Sequence, residues 1–178
     1  ENLSKIDSSA KFLLSLLNDV LDMSKIESEK MKIETAPFNL RQMTEELKSM
    51  FSAQETDRKL RLEMNCSLQE DCYTGDKMRI QQVLTNLLSN AFKFTPDGGI
   101  IRVTLQRGDG CFRLVVHDSG IGMTPEQQQQ VFERFYQANE SHSGGGLGLS
   151  IVRLIVEMHQ GTITVQSEPN RFSEFVIT

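Results

Sequence analysis

Four short motifs follow one another through the second half of this 178-residue chain, and no other feature limits its fold as much. Asn86-x-x-x-Asn90-Ala91-x-Lys93 comes first, then Asp118-Ser119-Gly120-Ile121-Gly122. Phe132-Glu133-Arg134-Phe135 and Gly144-Gly145-Gly146-Leu147-Gly148-Leu149 complete the series. The glycine motifs stand at the ends of expected helices and strands, where loops on a rigid scaffold carry chemistry.

The elements between the motifs can be read from periodicity. Asn39 is placed to cap a helix carrying Leu40, Met43, Leu47 and Phe51. Asp76 is placed to cap a second, longer helix bearing Ile80, Val83, Leu84, Leu87, Leu88 and Ala91. Leu60, Leu62 and Met64 alternate as a strand, as do Ile101, Val103 and Leu105. A Gly108-Asp109-Gly110 turn joins the latter to a strand from Cys111 to His117, and Pro96-Asp97-Gly98-Gly99 makes another turn. A polar connection runs from Thr124 to Ser143, with a short helix after Pro125. A helix from Leu147 to about His159 and strands from Thr162 to Ser167 and Phe172 to Ile177 close the chain. The expected class is α+β: an antiparallel-rich sheet with its helices on one face, a two-layer α/β sandwich.

The first segment differs. Leu3, Ile6, Ala10, Leu13, Leu17 and Val20 form an a/d seam, widened by Leu14 and Leu21, while Lys5, Asp7, Lys11 and Asp22 lie opposite. A long amphipathic helix is expected over residues 1–30 and a second domain over 37–178, with the boundary near 28–36. Nothing within one helix covers such a stripe. Its partner is another helix, from a second subunit or from a segment preceding Glu1, unless the helix packs on the following domain.

The motifs suggest chemistry by residue type. Asn86 and Asn90 share one helix face, and a neutral amide oxygen is a hard ligand suited to magnesium when phosphates supply further oxygens. Lys93 offers a point charge for phosphate. Two asparagines inside a helix are mildly costly without a purpose, although they also read as plain surface residues. Asp118 follows the apolar run Leu114-Val115-Val116, so its carboxylate stands at a strand end and can accept from an exocyclic amine such as adenine N6. Gly120 and Gly122 let the backbone turn sharply and a flat base approach; a tight turn capped by Asp118 is the plainer alternative. The run Gly144 to Gly148 precedes a helix, whose N-terminal N–H groups bind phosphate oxygens. It is neither a P-loop, since no Lys-Ser/Thr follows, nor a dinucleotide fingerprint, since no strand precedes it. Phe132 and Phe135 stand in a polar loop as docking aromatics or as cover for the core edge.

Composition sets outer bounds. A net charge of −5, from 19 basic and 24 acidic residues, argues against a nucleic-acid binder. Cys66, Cys72 and Cys111 lack C-x-x-C spacing, so neither disulfides nor a structural zinc site is expected, and a reducing compartment fits. No apolar run is long enough to span a bilayer.

In this order the motifs resemble the N, G1, F and G2 boxes of sensor histidine kinases of two-component systems. The stretch Leu16 to Glu27 resembles the second helix of their dimerisation domain, in the form common in hybrid kinases. The resemblance implies a Bergerat-type ATP fold over 37–178, shared with DNA gyrase and the large heat-shock chaperones, behind a partial dimerisation domain over 1–30. It implies ATP and magnesium as cofactors. Asn90 then resembles the magnesium ligand, Asn86 its polar neighbour and Lys93 a phosphate contact, the three forming the catalytic group. Asp118 resembles the adenine reader, with Gly120 and Gly122 around the base. Phe132 belongs to a lid from Thr124 to Ser143, and Gly144, Gly146, Leu147, Gly148 and Leu149 resemble the phosphate side. The implied activity is γ-phosphoryl transfer from Mg-ATP to a histidine, with a response regulator or receiver domain next in line. The implied setting is a homodimer joined through the N-terminal helix, on the cytoplasmic side of a membrane-anchored sensor.

Three departures accompany the resemblance. None of His117, His142 and His159 has a Ser-His-Glu-like setting, so the phosphoacceptor is expected before residue 1. The lid between Gln137 and Gly144 is shorter than is usual in the family. The late Gly-x-Gly-Ser/Thr turn is missing around Asn170-Arg171-Phe172, which leaves Ser173 as a candidate for a late hydroxyl contact. A non-catalytic ATP-dependent partner is the rival reading, against which the intact boxes argue. A gyrase- or chaperone-type ATPase is disfavoured by the F box and the helical prefix.

Overall fold

The computed structural model describes residues 13–14, 17–18, 20–22, 24, 32–67, 72–107, 112–137 and 145–178. Strand β1 (Ala36–Asn39) runs into helix α1 (Leu40–Asp57) because the Asn39 side chain accepts the Gln42 N–H at 2.8 Å and caps the helix. Strands β2 (Arg61–Cys66) and β3 (Cys72–Gly75) lead to helix α2 (Lys77–Phe94). Asp76 caps α2, its two oxygens accepting the N–H groups of Arg79 at 3.1 Å and Glu34 at 3.0 Å. Then come β4 (Ile100–Arg107), β5 (Phe112–Asp118), α3 (Pro125–Gln130), α4 (Gly148–Met158), β6 (Ile163–Glu168) and β7 (Phe172–Ile177).

The main sheet has the order β2-β4-β5-β7-β6; β2 and β4 are parallel and every other neighbouring pair is antiparallel. Its residues alternate in burial. Leu62, Ile101, Val103, Leu105, Leu114, Val116 and Phe175 are buried on one face. There they meet Met43 and Leu47 of α1, Leu84, Leu87 and Leu88 of α2, and Ile151 and Ile155 of α4 in one core. Each such fully buried aliphatic side chain stabilises the fold by about 2 kcal/mol. The opposite face is polar, with Glu63 paired to Arg61 and Arg102, both at 2.9 Å. This is the expected two-layer sandwich.

Two features differ from the sequence reading. β1 and β3 form a small antiparallel sheet that periodicity does not reveal, since each has four residues and β1 contains Pro37. The turn around Asn170 is complete without the family's glycines. Asn170 takes φ of 60° itself, its N–H donates to the Ile121 carbonyl at 2.6 Å, and Glu168 pairs with Phe172. Asparagine tolerates the left-handed region better than other non-glycine residues, so it closes the turn.

The described residues of the N-terminal segment are helical, and Leu13, Leu14, Leu17, Val20 and Leu21 are exposed. Asp22 meets α2, standing 3.1 Å from an Arg79 guanidinium nitrogen and accepting from Gln82 Nε2 at 2.8 Å. Leu3, Ile6 and Ala10 of the expected seam, and residues 28–31 of the expected boundary, lie outside the described residues.

Candidate nucleotide site

The C-terminal half of α2, the exit of β5, the start of β7 and the first turn of α4 enclose a pocket of about 200 Å³. At one end stands Asp118, the last residue of β5, only 5 % exposed. Its Oδ1 accepts the Gly120 N–H at 2.9 Å, and the backbone of Ser173, its partner across β7, donates to the same carboxylate. Burial pushes the carboxyl up to about 6, and these two hydrogen bonds pull against that rise.

The glycines beside it are required by space. A Cβ on Gly120 would lie 2.5 Å from Asp118 Oδ1, and one on Gly122 (φ 62°) would lie 2.0 Å from the Glu168 carbonyl oxygen. Ile121 N–H donates to the Phe94 carbonyl at 3.2 Å and ties this loop to the end of α2. A pinned carboxylate behind the apolar walls Ile121, Met123 and Phe175 can accept from the amino group of a flat heterocycle.

The other end has the chemistry to take an anion. Asn90 and Lys93 of α2 line it; Lys93 Nζ stands 4.9 Å from the Phe94 ring centroid, and partial burial lowers its pKa. Facing them are Gly145, Gly146 and the first turn of α4. Gly146 has φ of 66°, and a Cβ there would lie 2.7 Å from the Phe135 carbonyl carbon. Leu147, the N-cap residue of α4, makes no side-chain cap bond, whereas Asn39, Asp76 and Thr124 cap the other three helices among the described residues of the domain. The first N–H groups of α4 point to this end of the pocket with the positive end of the helix dipole behind them, a setting that can take an anion.

Of the residues singled out from sequence, Asn90, Lys93, Asp118, Gly122, Gly146, Gly148 and Leu149 line this one pocket. Gly120 stands just behind it. Asn86 braces the wall instead, its Nδ2 donating to the Gly148 carbonyl at 3.3 Å. Leu147 is buried in the core at the start of α4. Gly144 lies outside the described residues, as do 138–143 of the expected lid. The two phenylalanines part company: Phe132 sets its edge on the Phe175 ring, 6.2 Å between centroids, while Phe135 is 69 % exposed. Phe135 has φ of 62° and its N–H donates to the Gly146 carbonyl at 2.9 Å, a backbone pose that turns the ring outward.

The pocket also takes in Ser173, the candidate for a late hydroxyl contact, together with Gln127 and Tyr136, which the motifs do not mark. Gln127 was accessible through the capping box Thr124-x-x-Gln127, in which the Thr124 and Gln127 side chains accept each other's backbone N–H groups. Ser173 comes beside Asp118 only through strand register.

Among the described residues no group of three His, Cys, Asp or Glu could hold a metal. The donor present is the neutral amide of Asn90. With ligand phosphates as the remaining oxygens, this set fits magnesium.

A two-layer sandwich that sets a buried carboxylate opposite a glycine loop and a helix start is the arrangement of a nucleotide-binding ATPase domain. The chain belongs to the histidine kinase-, DNA gyrase B- and HSP90-like ATPases, whose family pattern matches residues 75–178. Among curated proteins it is similar to the signal transduction histidine-protein kinase BarA of Escherichia coli strain K12, 37 % identical over 184 residues, covering 98 % of this chain and 20 % of BarA. Among solved structures it is similar to full-length ShkA in complex with AMPPNP, 28 % identical with a TM-score of 0.87, covering 99 % of this chain and 37 % of that one. Histidine kinase ThkA in complex with the response regulator TrrA is 25 % identical with a TM-score of 0.74, covering 99 % and 51 %. The chain thus spans about a fifth of the length of BarA. No helix among the described residues is long and apolar enough to cross a membrane.

Proposed function

We propose that residues 37–178 are the ATP-binding catalytic part of a sensor histidine kinase and give the γ-phosphoryl group of Mg-ATP to a histidine on another segment of a longer protein. The observation that carries this reading is the convergence of Asp118, Asn90, Lys93 and the first turn of α4 on one pocket. Asp118 accepts from the adenine amino group and fixes the base. Lys93 and the N–H groups of Gly148 and Leu149 hold phosphate oxygens. Asn90 holds magnesium, which supplies charge neutralisation on the phosphates. Asn86 keeps α2 and α4 together through Gly148. Phosphoryl transfer of this kind asks the protein mainly for alignment and for positive potential.

Among the described histidines neither lines the pocket. His117 stacks on Phe172 on the outer sheet face, 5.5 Å between rings and 3.5 Å from Glu174, and His159 Nδ1 bonds to the Ile155 carbonyl at 2.8 Å. The acceptor is therefore placed by this reading on a helix packed against the exposed seam of Leu13, Leu17 and Val20, in a homodimer. A response regulator or receiver domain follows as the next acceptor, as the ThkA–TrrA pair suggests, and the ShkA–AMPPNP complex supports the nucleotide. The setting is the cytoplasmic side of a membrane-anchored sensor.

Asn90→Ala tests the metal assignment. Calorimetric titration with ADP, with and without magnesium, is expected to give a magnesium-dependent gain in affinity for the unaltered chain and none for the variant. A gain that survives intact in Asn90→Ala places the metal elsewhere.

A further inference from the structure

Helix α2 ends against a cation from another element. The last four carbonyls of a helix lack partners within it and carry the negative end of its dipole. In α2 the Ala91 carbonyl accepts the Thr95 N–H at 3.0 Å and the Thr95 hydroxyl at 2.6 Å. The Phe94 carbonyl accepts the Ile121 N–H at 3.2 Å, from the glycine loop beside Asp118. The Phe92 carbonyl accepts from the guanidinium of Arg58, the residue that closes α1. The same guanidinium donates through Nη2 to the Thr95 carbonyl at 2.8 Å and through Nε to Asp97 Oδ1 at 3.0 Å. The Arg58 carbonyl in turn accepts the Gly98 N–H at 3.3 Å.

The last turn of α2 is thus gripped from two sides, by Arg58 at Phe92 and Thr95 and by the glycine loop at Phe94. Lys93 stands between these anchored carbonyls. It is the basic residue of that turn, and such a residue is ordinarily drawn to the carbonyls of its own helix end. Here Arg58 meets those carbonyls, while Lys93 lines the pocket with Nζ 4.9 Å from the Phe94 ring centroid. A planar guanidinium fork can serve several acceptors at once in fixed directions, which a flexible ammonium does not. Arg58 itself belongs to none of the four motifs and does not line the pocket.

We propose that Arg58 is a positioning residue for the phosphate end of the pocket. It fixes the last turn of α2, and so the direction from which Lys93 meets a ligand phosphate. The inference rests on the reading of Lys93 as a phosphate contact.

Arg58→Met and Arg58→Lys form the test, the first keeping the apolar stem and the second the charge without the fork. Calorimetry on the chain is run with ADP and with adenosine, without magnesium so that the proposed role of Asn90 does not enter. The temperature is one at which melting curves show each variant folded. Arg58→Met is expected to bind ADP roughly three- to tenfold more weakly, the scale of one hydrogen bond, and adenosine less than about twofold more weakly. Arg58→Lys is expected to fall between Arg58→Met and the unaltered chain, and it decides by the same criteria if Arg58→Met does not fold. Because Arg58 acts through Lys93, Arg58→Met with Lys93→Met is expected to bind ADP nearly as well as Lys93→Met alone. Unchanged ADP affinity in Arg58→Met, equal losses for ADP and adenosine, or full additivity in the double variant overturn the proposal. Lys93→Met separates the two levels. If the chain binds no ADP, or Lys93→Met binds it unchanged, the phosphate end itself is wrong and both readings fall. If Lys93→Met weakens ADP binding while Arg58→Met does not, only the positioning role falls.

Discussion

Asp118 carries opposed demands. In the proposed role its carboxylate must be ionised to accept well from an amino group, yet burial raises its pKa from 3.8 to about 6. The folded state therefore holds this proton more tightly than the unfolded chain. The associated stability is complete below pH 3.8 and is lost as pH rises through about 6. A rise of about two units corresponds to roughly 3 kcal/mol, which the empty domain forgoes at neutral pH. Asp118→Asn removes the charge but also spoils the acceptor. At pH 8 the empty variant is expected to melt no lower than the unaltered chain, while its ADP affinity falls by roughly tenfold or more. Thermal melts and calorimetry on one preparation check both halves. For the unaltered chain, ADP affinity is further expected to decline as pH drops below about 6, through the titration of Asp118, and this part of the decline should be absent in Asp118→Asn.

At the scale of elements, the site depends on how the glycine loop meets α4. Gly146 lies in the left-handed region with Phe135 backbone at its back. Gly146→Ala is expected to cost about 1–2 kcal/mol of stability from backbone strain alone. If the loop serves the phosphate end as proposed, the variant should lose affinity for ADP while affinity for adenosine changes little. Equal losses for both ligands would point to a general collapse of the pocket. These elements differ in how far sequence reveals them. Asn39 and Asp76 announce α1 and α2 because a cap is local chemistry, bonding three residues onward. The β4–β5 hairpin and α4 follow equally from short-range pattern. β1 and β3 lie too far apart in sequence and are too short for periodicity to pair them. Ser173 comes beside Asp118 through register between strands, a long-range property. The outward turn of Phe135 depends on one hydrogen bond to Gly146, which no spacing encodes.

At the scale of the whole molecule, binding and acceptance of the phosphate fall to different parts of the chain in the proposed function. On the proposed reading the sandwich binds and aligns nucleotide, and the exposed Leu13, Leu14, Leu17 and Leu21 of the N-terminal segment pack on partner helices. Phosphate transfer then requires the longer protein, with its acceptor histidine brought to the phosphate end of the pocket. The most direct measurement is acid-labile, base-stable label taken up from γ-labelled ATP by the chain of residues 1–178, by the full-length protein, and by full-length Asn90→Ala and Asp118→Asn. The account predicts label on the unaltered full-length protein and little on either variant or on residues 1–178 alone. Undiminished label on the full-length variants, or robust label on residues 1–178 alone, would contradict it; the latter would assign the phosphoacceptor role to His117, His142 or His159.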